Sequence, residues 1–222
     1  MDYRYVVWDW NGTLLDDAWL ARETINELLV RRGRLAASTV RYQEVFGFPL
    51  RDFCRRVGFD LECESFEALS DQYSSRYEER RLECRLRAGV PQILAAIRRA
   101  GAVQSVLSAY LQHNLEELVG HFQLAGYFTR VAGLDNPYGE GKVERGRRWL
   151  AEEGWPADQV LMVGDTLYDG EVARAMGVDC VLLASGYQSR ERLEQSGSRV
   201  VDDLPGVMRS LGLAWEDGEV SG

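Results

Sequence analysis

From residue 90 to residue 201 the chain alternates short apolar runs with helical segments, and this alternation limits the fold more than any other feature. Residues 103–107, 128–132, 160–163 and 181–183 have the length and apolar content of buried strands. Residues 199–201 form a weaker one. The spacing predicts helices over 91–100, 111–120, 142–153, 169–176 and 189–195 between them. An earlier apolar run, Tyr5-Val6-Val7-Trp8, ends at Asp9 and the turn-forming Asn11-Gly12, and supplies one more strand. Strands alternating with helices imply a parallel sheet with helices on both faces, an α/β fold.

One stretch interrupts that order. Residues 17–32 place Leu20, Ile25, Leu28 and Leu29 at helical spacing. Residues 38–82 also read as helical, broken at Gly47-Phe48-Pro49 and Gly58. With no convincing strand between 17 and 82, this stretch is expected to be an all-helical second domain inserted after the first strand. Glu216–Gly222 is expected to fray.

Composition narrows the partners. Lysine and arginine number 26 against 35 aspartates and glutamates, a net charge of −9. Such a chain lacks the basic face that nucleic acid requires. An anionic substrate must then be attracted locally. No apolar run approaches the ~20 residues of a membrane span, and the N-terminus runs straight into a strand, so neither a membrane nor a signal peptide is expected. Cys54, Cys63, Cys84 and Cys180 show no CxxC pairing. They are expected to be reduced thiols in a cytoplasmic protein.

In a parallel sheet of this kind the binding crevice lies at the carboxyl ends of the strands. Asp9-Trp10-Asn11-Gly12-Thr13 follows the first strand there, and Ser108 and Ala109 follow the second. Lys142 opens the helix after the third, and Gly164-Asp165 through Asp169 follows the fourth. A carboxylate such as Asp9 can attack phosphorus and form an aspartyl-phosphate. Asp9 and Asp165 can supply the hard oxygens that Mg²⁺ prefers. Lys142 can neutralise phosphoryl charge, the Ser108 hydroxyl can donate to it, and Gly12 lets backbone amides approach an anion. Lys142 is also the sole lysine among 25 arginines, and a planar guanidinium does not replace a compact ammonium at a crowded site. His113 and His121, flanking a helix, are expected at the surface, and the arginines Arg51, Arg55 and Arg56 on a solvated helix face.

These residues, in this order, resemble the motifs of the haloacid dehalogenase superfamily, and most closely its phosphoglycolate-phosphatase-like branch. The first family motif, Asp-x-Asp-Gly-Thr-Leu, is similar to Asp9-Trp10-Asn11-Gly12-Thr13-Leu14. The second, a Ser or Thr after an apolar strand, falls on Ser108, the third on Lys142, and the fourth, Gly-Asp-x-x-x-Asp, on Gly164-Asp165 through Asp169. The resemblance covers nearly the whole chain. It implies a Rossmann-like core of residues 1–16 and 83–222 and a helical cap of residues 17–82. It also implies phosphate binding by Gly12, Thr13, Ser108, Ala109 and Lys142. Mg²⁺ would be held by Asp9, Asp165 and the backbone carbonyl of Asn11, with Asp169 acting nearby or through water. The implied reaction is hydrolysis of a small phosphorylated metabolite, with phosphoglycolate the family default, by a monomer or homodimer. The segment Phe46-Gly47-Phe48-Pro49-Leu50 resembles the family's stretch that closes over substrate.

One position departs from the family. Asn11 stands where its phosphatases carry the Asp that protonates the leaving alkoxide and then activates water, and an amide does neither. Other activities on this fold explain the departure less well. A phosphonoacetaldehyde hydrolase needs a cap lysine, and residues 17–82 have none. A 2-haloacid dehalogenase needs no metal, yet Asp165 and Asp169 are retained. A sugar-phosphate mutase depends on the missing Asp. A phosphate-ligand-binding or regulatory protein with impaired turnover is the alternative of a different class.

Overall fold

A computed structural model describes residues 3–215; the tail Glu216–Gly222 lies outside the described residues. Strand β1 (Tyr5–Trp8) is apolar on both faces, with Val6, Val7 and Trp8 buried, as a central parallel strand requires. The chain then passes through β2 (Leu15–Asp16) into helices α1 (Ala18–Arg31), α2 (Thr39–Val45), α3 (Leu50–Val57) and α4 (Phe66–Arg80). It returns through β3 (Arg85–Leu86), which pairs antiparallel with β2. This pairing ties together the two crossings between the helices and the sheet.

The rest alternates: α5 (Val90–Arg99), β4 (Val103–Leu111), α6 (Gln112–His121), β5 (Arg130–Leu134), α7 (Lys142–Glu153), β6 (Val160–Gly164) and α8 (Leu167–Met176). It ends with β7 (Asp179–Leu183), α9 (Arg190–Leu193), β8 (Arg199–Val201) and α10 (Leu204–Ser210). Six parallel strands form one sheet in the order β5-β4-β1-β6-β7-β8. Chain order reverses on the two sides of β1, which puts a crevice at the carboxyl ends of β1, β4 and β6.

Alternate side chains of β1 serve the two faces. Val6 and Trp8 pack with Ile93, Leu94 and Ile97 of α5. Val7 packs with Met162, Trp149 of α7 and Val172 of α8. Helices α1–α4 enclose a separate apolar cluster that includes Leu28, Leu29, Tyr42, Phe53 and Leu69, together with Tyr187 from the loop after β7.

Two strands differ from the sequence expectation. Strand β5 begins at Arg130 instead of residue 128, because a 3₁₀ turn over Ala125–Tyr127 precedes it and pairing starts at Ser105↔Arg130. Strand β4 runs on to Leu111 with a register shift after Leu107, so residues 108–110 bulge from the ladder. Bulges re-aim side chains next to active sites, and this one contains Ser108. A side chain at Gly133 would come within 2.7 Å of the Tyr110 carbonyl and Gln112 Cα, so glycine lets β5 approach the bulge. Helix α10 and the β2–β3 pair had no expectation.

Candidate active site

The strand ends bring the motif residues together. Asp9 follows β1, Lys142 opens α7, and Asp165 and Asp169 flank the turn between β6 and α8. Lys142 is 2% exposed, and its Nζ lies 2.6 Å from both Asp9 Oδ1 and Asp169 Oδ1. Burial works against the ammonium's charge, and so does its place in the first turn of a helix. The carboxylates of Asp169 and Asp9 outweigh burial and hold its pKa above the ordinary lysine value.

The carboxylates are fixed from several sides. Asp169 Oδ2 accepts the Thr166 hydroxyl at 2.7 Å and the Thr166 N–H at 3.0 Å, and the Asp169 N–H meets the Thr166 hydroxyl in return, completing a capping box at the start of α8. Its other oxygen is thereby left to Lys142. Asp165 accepts the Thr13 hydroxyl at 3.1 Å and the Tyr187 N–H at 2.6 Å. A Cβ at Gly12 or Gly186 would fall 2.3 or 2.0 Å from Asp165 Oδ2, so two glycines make room for this carboxylate.

Asp9, Asp165 and Asp169 bring carboxylate oxygens within 4.8 Å of one another. Among the described residues, the Lys142 ammonium is the one cation paired with them, through Asp9 and Asp169. Burial pushes Asp9 up to about 7 against the pull of Lys142. Asp165 is also raised well above its usual value, by burial and then by the charges of Asp9 and Asp169. An all-oxygen donor set with surplus negative charge fits a hard divalent cation such as Mg²⁺.

The phosphate candidates divide into two groups. Ser108, Ala109 and Lys142 line a cavity of about 170 Å³ together with Asp9, Asn11, Asp165 and Asp169. The Ser108 hydroxyl accepts the Tyr110 N–H at 3.1 Å. Gly12 and Thr13 instead spend their polar hydrogens on carboxylates: the Gly12 N–H on Asp17 Oδ1 at 2.8 Å, the Thr13 hydroxyl on Asp165. Gly12 has a φ of +76°, a left-handed turn that glycine adopts without strain.

Asn11 shows the largest surprise. Its amide donates to Asp17 Oδ2 at 2.7 Å and to the Tyr77 hydroxyl at 3.0 Å. Asp17 is fully buried and also accepts the hydroxyls of Tyr77 and Tyr187. Burial raises its pKa, although these four donors pull the other way. By position Asp17 is the N-cap of α1, but its side chain caps nothing there. It turns back to the loop that carries Asn11. A buried aspartate is thus present next to position 11, displaced by six residues along the chain. The adjacent pair Asp16-Asp17 was its only trace in the sequence, and an aspartate before a helix ordinarily reads as a cap.

Arg87, also unmarked in the sequence, braces the same loop by donating to the carbonyls of Gly12 at 2.6 Å and Thr13 at 3.2 Å. Trp8 and Trp10 are buried in the sheet core, and Trp19 is half-buried. His113 and His121 are exposed. The helical arginines stay off the cavity wall: Arg51 pairs with Glu67, Arg55 with Asp52, and Arg56 donates to the Val45 carbonyl. The four cysteines are unpaired. Among the described residues, no helix is long and apolar enough to cross a membrane.

Comparison with known proteins gives the family and the fold. A family model for haloacid dehalogenase-like hydrolases matches residues 6–183. A 5'-nucleotidase of Pseudomonas aeruginosa is 29% identical over 195 residues, covering 86% of this chain and 87% of its own. A phosphoglycolate phosphatase of Pseudomonas fluorescens is 25% identical over 210 residues, covering 90% of this chain and 77% of its own. A haloacid dehalogenase-like family hydrolase from Streptococcus pneumoniae superposes with a TM-score of 0.77 at 16% identity, over 95% of this chain and 99% of that one, and so shares the fold.

Proposed function

The chain belongs to the haloacid dehalogenase-like hydrolase family, and from that premise we propose that it is a Mg²⁺-dependent phosphatase of small phosphorylated metabolites, with Asp9 as the covalent nucleophile. The observation that carries this is the buried cluster of Asp9, Asp165 and Asp169 around one ammonium, open to a cavity at the sheet's switch point. Helices α1–α4 act as the cap over that cavity.

Asp9 attacks phosphorus, and the bond from phosphorus to the ester oxygen breaks. The phosphoryl group then resides on Asp9. Oδ1 is held by Lys142 at 2.6 Å, whereas Oδ2 receives only a 3.4 Å contact from Thr13, which leaves Oδ2 the freer oxygen for attack. Ser108 and Ala109 line the cavity, where the Ser108 hydroxyl and the Ala109 N–H would donate to the phosphoryl oxygens. Water next attacks phosphorus, the Asp9 carboxylate departs, and phosphate is released. Asp9, Asp165 and the Asn11 carbonyl would hold Mg²⁺, which supplies charge stabilisation to the phosphoryl group when bound. Asn11 has no proton to give, so the ester oxygen leaves as an anion or is protonated by solvent.

Phosphate release from phenyl phosphate should appear with Mg²⁺ and vanish in excess EDTA. Undiminished turnover in EDTA contradicts the metal assignment. Binding of phosphate esters without turnover favours the regulatory alternative.

Lys142→Arg retains the charge but cannot place a compact donor between two carboxylates that now lie 2.6 Å away on either side. Hydrolysis should fall ~10²-fold or more. A rate within threefold of wild type would make the sole lysine incidental.

A further inference from the structure

The cavity that receives the substrate is mostly apolar, and most of its charged groups belong to the carboxylate and lysine cluster. Asp9, Ser108, Lys142 and Asp165 form the end where phosphorus must sit. The helical insert contributes mainly apolar side chains to the lining, among them Phe48, Leu50, Phe66 and Leu69, with Ser70 and Ser74 beside them. Phe48 reaches across to the core and stacks on Tyr168 of α8, ring centroids 4.3 Å apart at an interplanar angle of 26°. It also fills the space over Gly139, where a Cβ would lie 2.6 Å from its ring. The part of the substrate beyond the ester oxygen therefore meets mainly rings and aliphatic carbons.

Charge points the same way. Among the described residues lining the cavity, Lys142 is the one lysine or arginine, and it is committed to Asp9 and Asp169. The other charged group on the wall outside the carboxylate cluster is Glu78, which Arg81 pairs at 3.0 Å and Tyr110 contacts through its hydroxyl. Arg51 of α3 lies over the Phe66 ring at 4.7 Å and pairs with Glu67. A carboxylate on the leaving group, such as that of phosphoglycolate, would enter an apolar space with no cation to meet it and with Glu78 on the wall. Burying an unpaired charge in that way is costly. The whole cavity, phosphoryl end included, has about 170 Å³, which leaves room for no more than one ring beyond the phosphoryl group, since an apolar cavity of ~150 Å³ holds one.

Resting on the phosphatase reading, we propose that the site selects phosphate monoesters whose leaving group is uncharged and aromatic, held against Phe48 and Phe66, and discriminates against leaving groups that carry a carboxylate.

The test compares phenyl phosphate with 4-carboxyphenyl phosphate, whose leaving groups are both phenolates, and adds acetyl phosphate as a small activated probe. The kcat/KM for phenyl phosphate should exceed that for 4-carboxyphenyl phosphate by ~10-fold or more, mostly through KM, since an unpaired buried charge is penalised. Phe48→Ala should shrink that ratio by removing the ring contact. Leu50→Arg, which puts a guanidinium on the wall, should shrink it by favouring the carboxylated ester. Equal or better use of 4-carboxyphenyl phosphate by the wild-type protein, with acetyl phosphate still hydrolysed, overturns the selectivity and leaves the phosphatase reading standing. No turnover of any of the three compounds with Mg²⁺ present overturns the phosphatase reading and the selectivity with it.

Discussion

Asp9→Asn is expected to lower phosphate release by ~10⁴-fold or more, the scale on which loss of a covalent nucleophile is felt. The substitution changes one oxygen to an amide nitrogen and little else in size. Asp9 is 6% exposed and already raised by burial, so a neutral group there removes a charge that the fold tolerates poorly. Lys142 keeps its second partner, Asp169, at 2.6 Å. The loss should therefore be confined to chemistry, and steady-state rates beside a thermal melt separate the two. A rate within tenfold of wild type, or a large fall in melting temperature, would contradict this account of Asp9.

The exchange of Asn11 and Asp17 should have the next largest effect, and in the opposite direction. Asn11→Asp alone does not cleanly restore an acid, because the new carboxylate would stand about where the Asn11 amide now meets Asp17, 2.7 Å away. Two carboxylates that close share a proton, and one of them has its pKa driven up strongly. The double variant Asn11→Asp with Asp17→Asn retains one carboxylate and one amide in the same contact. It moves the acid to the cavity wall, which Asn11 lines. Alkyl esters need their leaving oxygen protonated, so their hydrolysis should rise by ~10²–10⁴-fold, the usual contribution of a positioned acid or base. Aryl esters should gain little in the bond-breaking step. The measurement is kcat/KM for benzyl phosphate and phenyl phosphate in wild type, the single variant and the double variant. An unchanged benzyl rate in the double variant means that another group or a water already supplies the proton.

The Asp17 network also shows where the sequence was legible and where it was not. The sheet could be read because each strand is a short apolar run with turn residues after it, and burial on both faces leaves that mark on every residue. Asp9, Ser108, Lys142 and Asp165 could be read because strand ends are the places where a parallel sheet presents polar groups. Asp17 sits past the end of β2, at a helix start, where an aspartate has an ordinary use. Its partners Tyr77 and Tyr187 are 60 and 170 residues away, and no local pattern encodes contacts that distant. Arg87 was hidden for the same reason, its partners Gly12 and Thr13 lying across the helical insert. The bulge at residues 108–110 was invisible because it breaks strand pairing without breaking apolar composition. Gly12 could be recognised as a special turn, yet the role expected of its amide was displaced by Asp17, which takes that N–H at 2.8 Å.

The central claim is that Asp9 carries the phosphoryl group during turnover. With no carboxylate at position 11 to activate water, the second step should be slow relative to the first for an aryl ester, and the intermediate should accumulate. Rapid quenching in acid during turnover of phenyl phosphate with Mg²⁺, followed by mass spectrometry of the peptide that contains Asp9, reads this directly. The account predicts a burst of phenol close to one per protein chain and one phosphoryl group on Asp9, absent from Asp9→Asn. An unmodified Asp9 peptide during active turnover, or a phosphoryl group on a different residue, would contradict it.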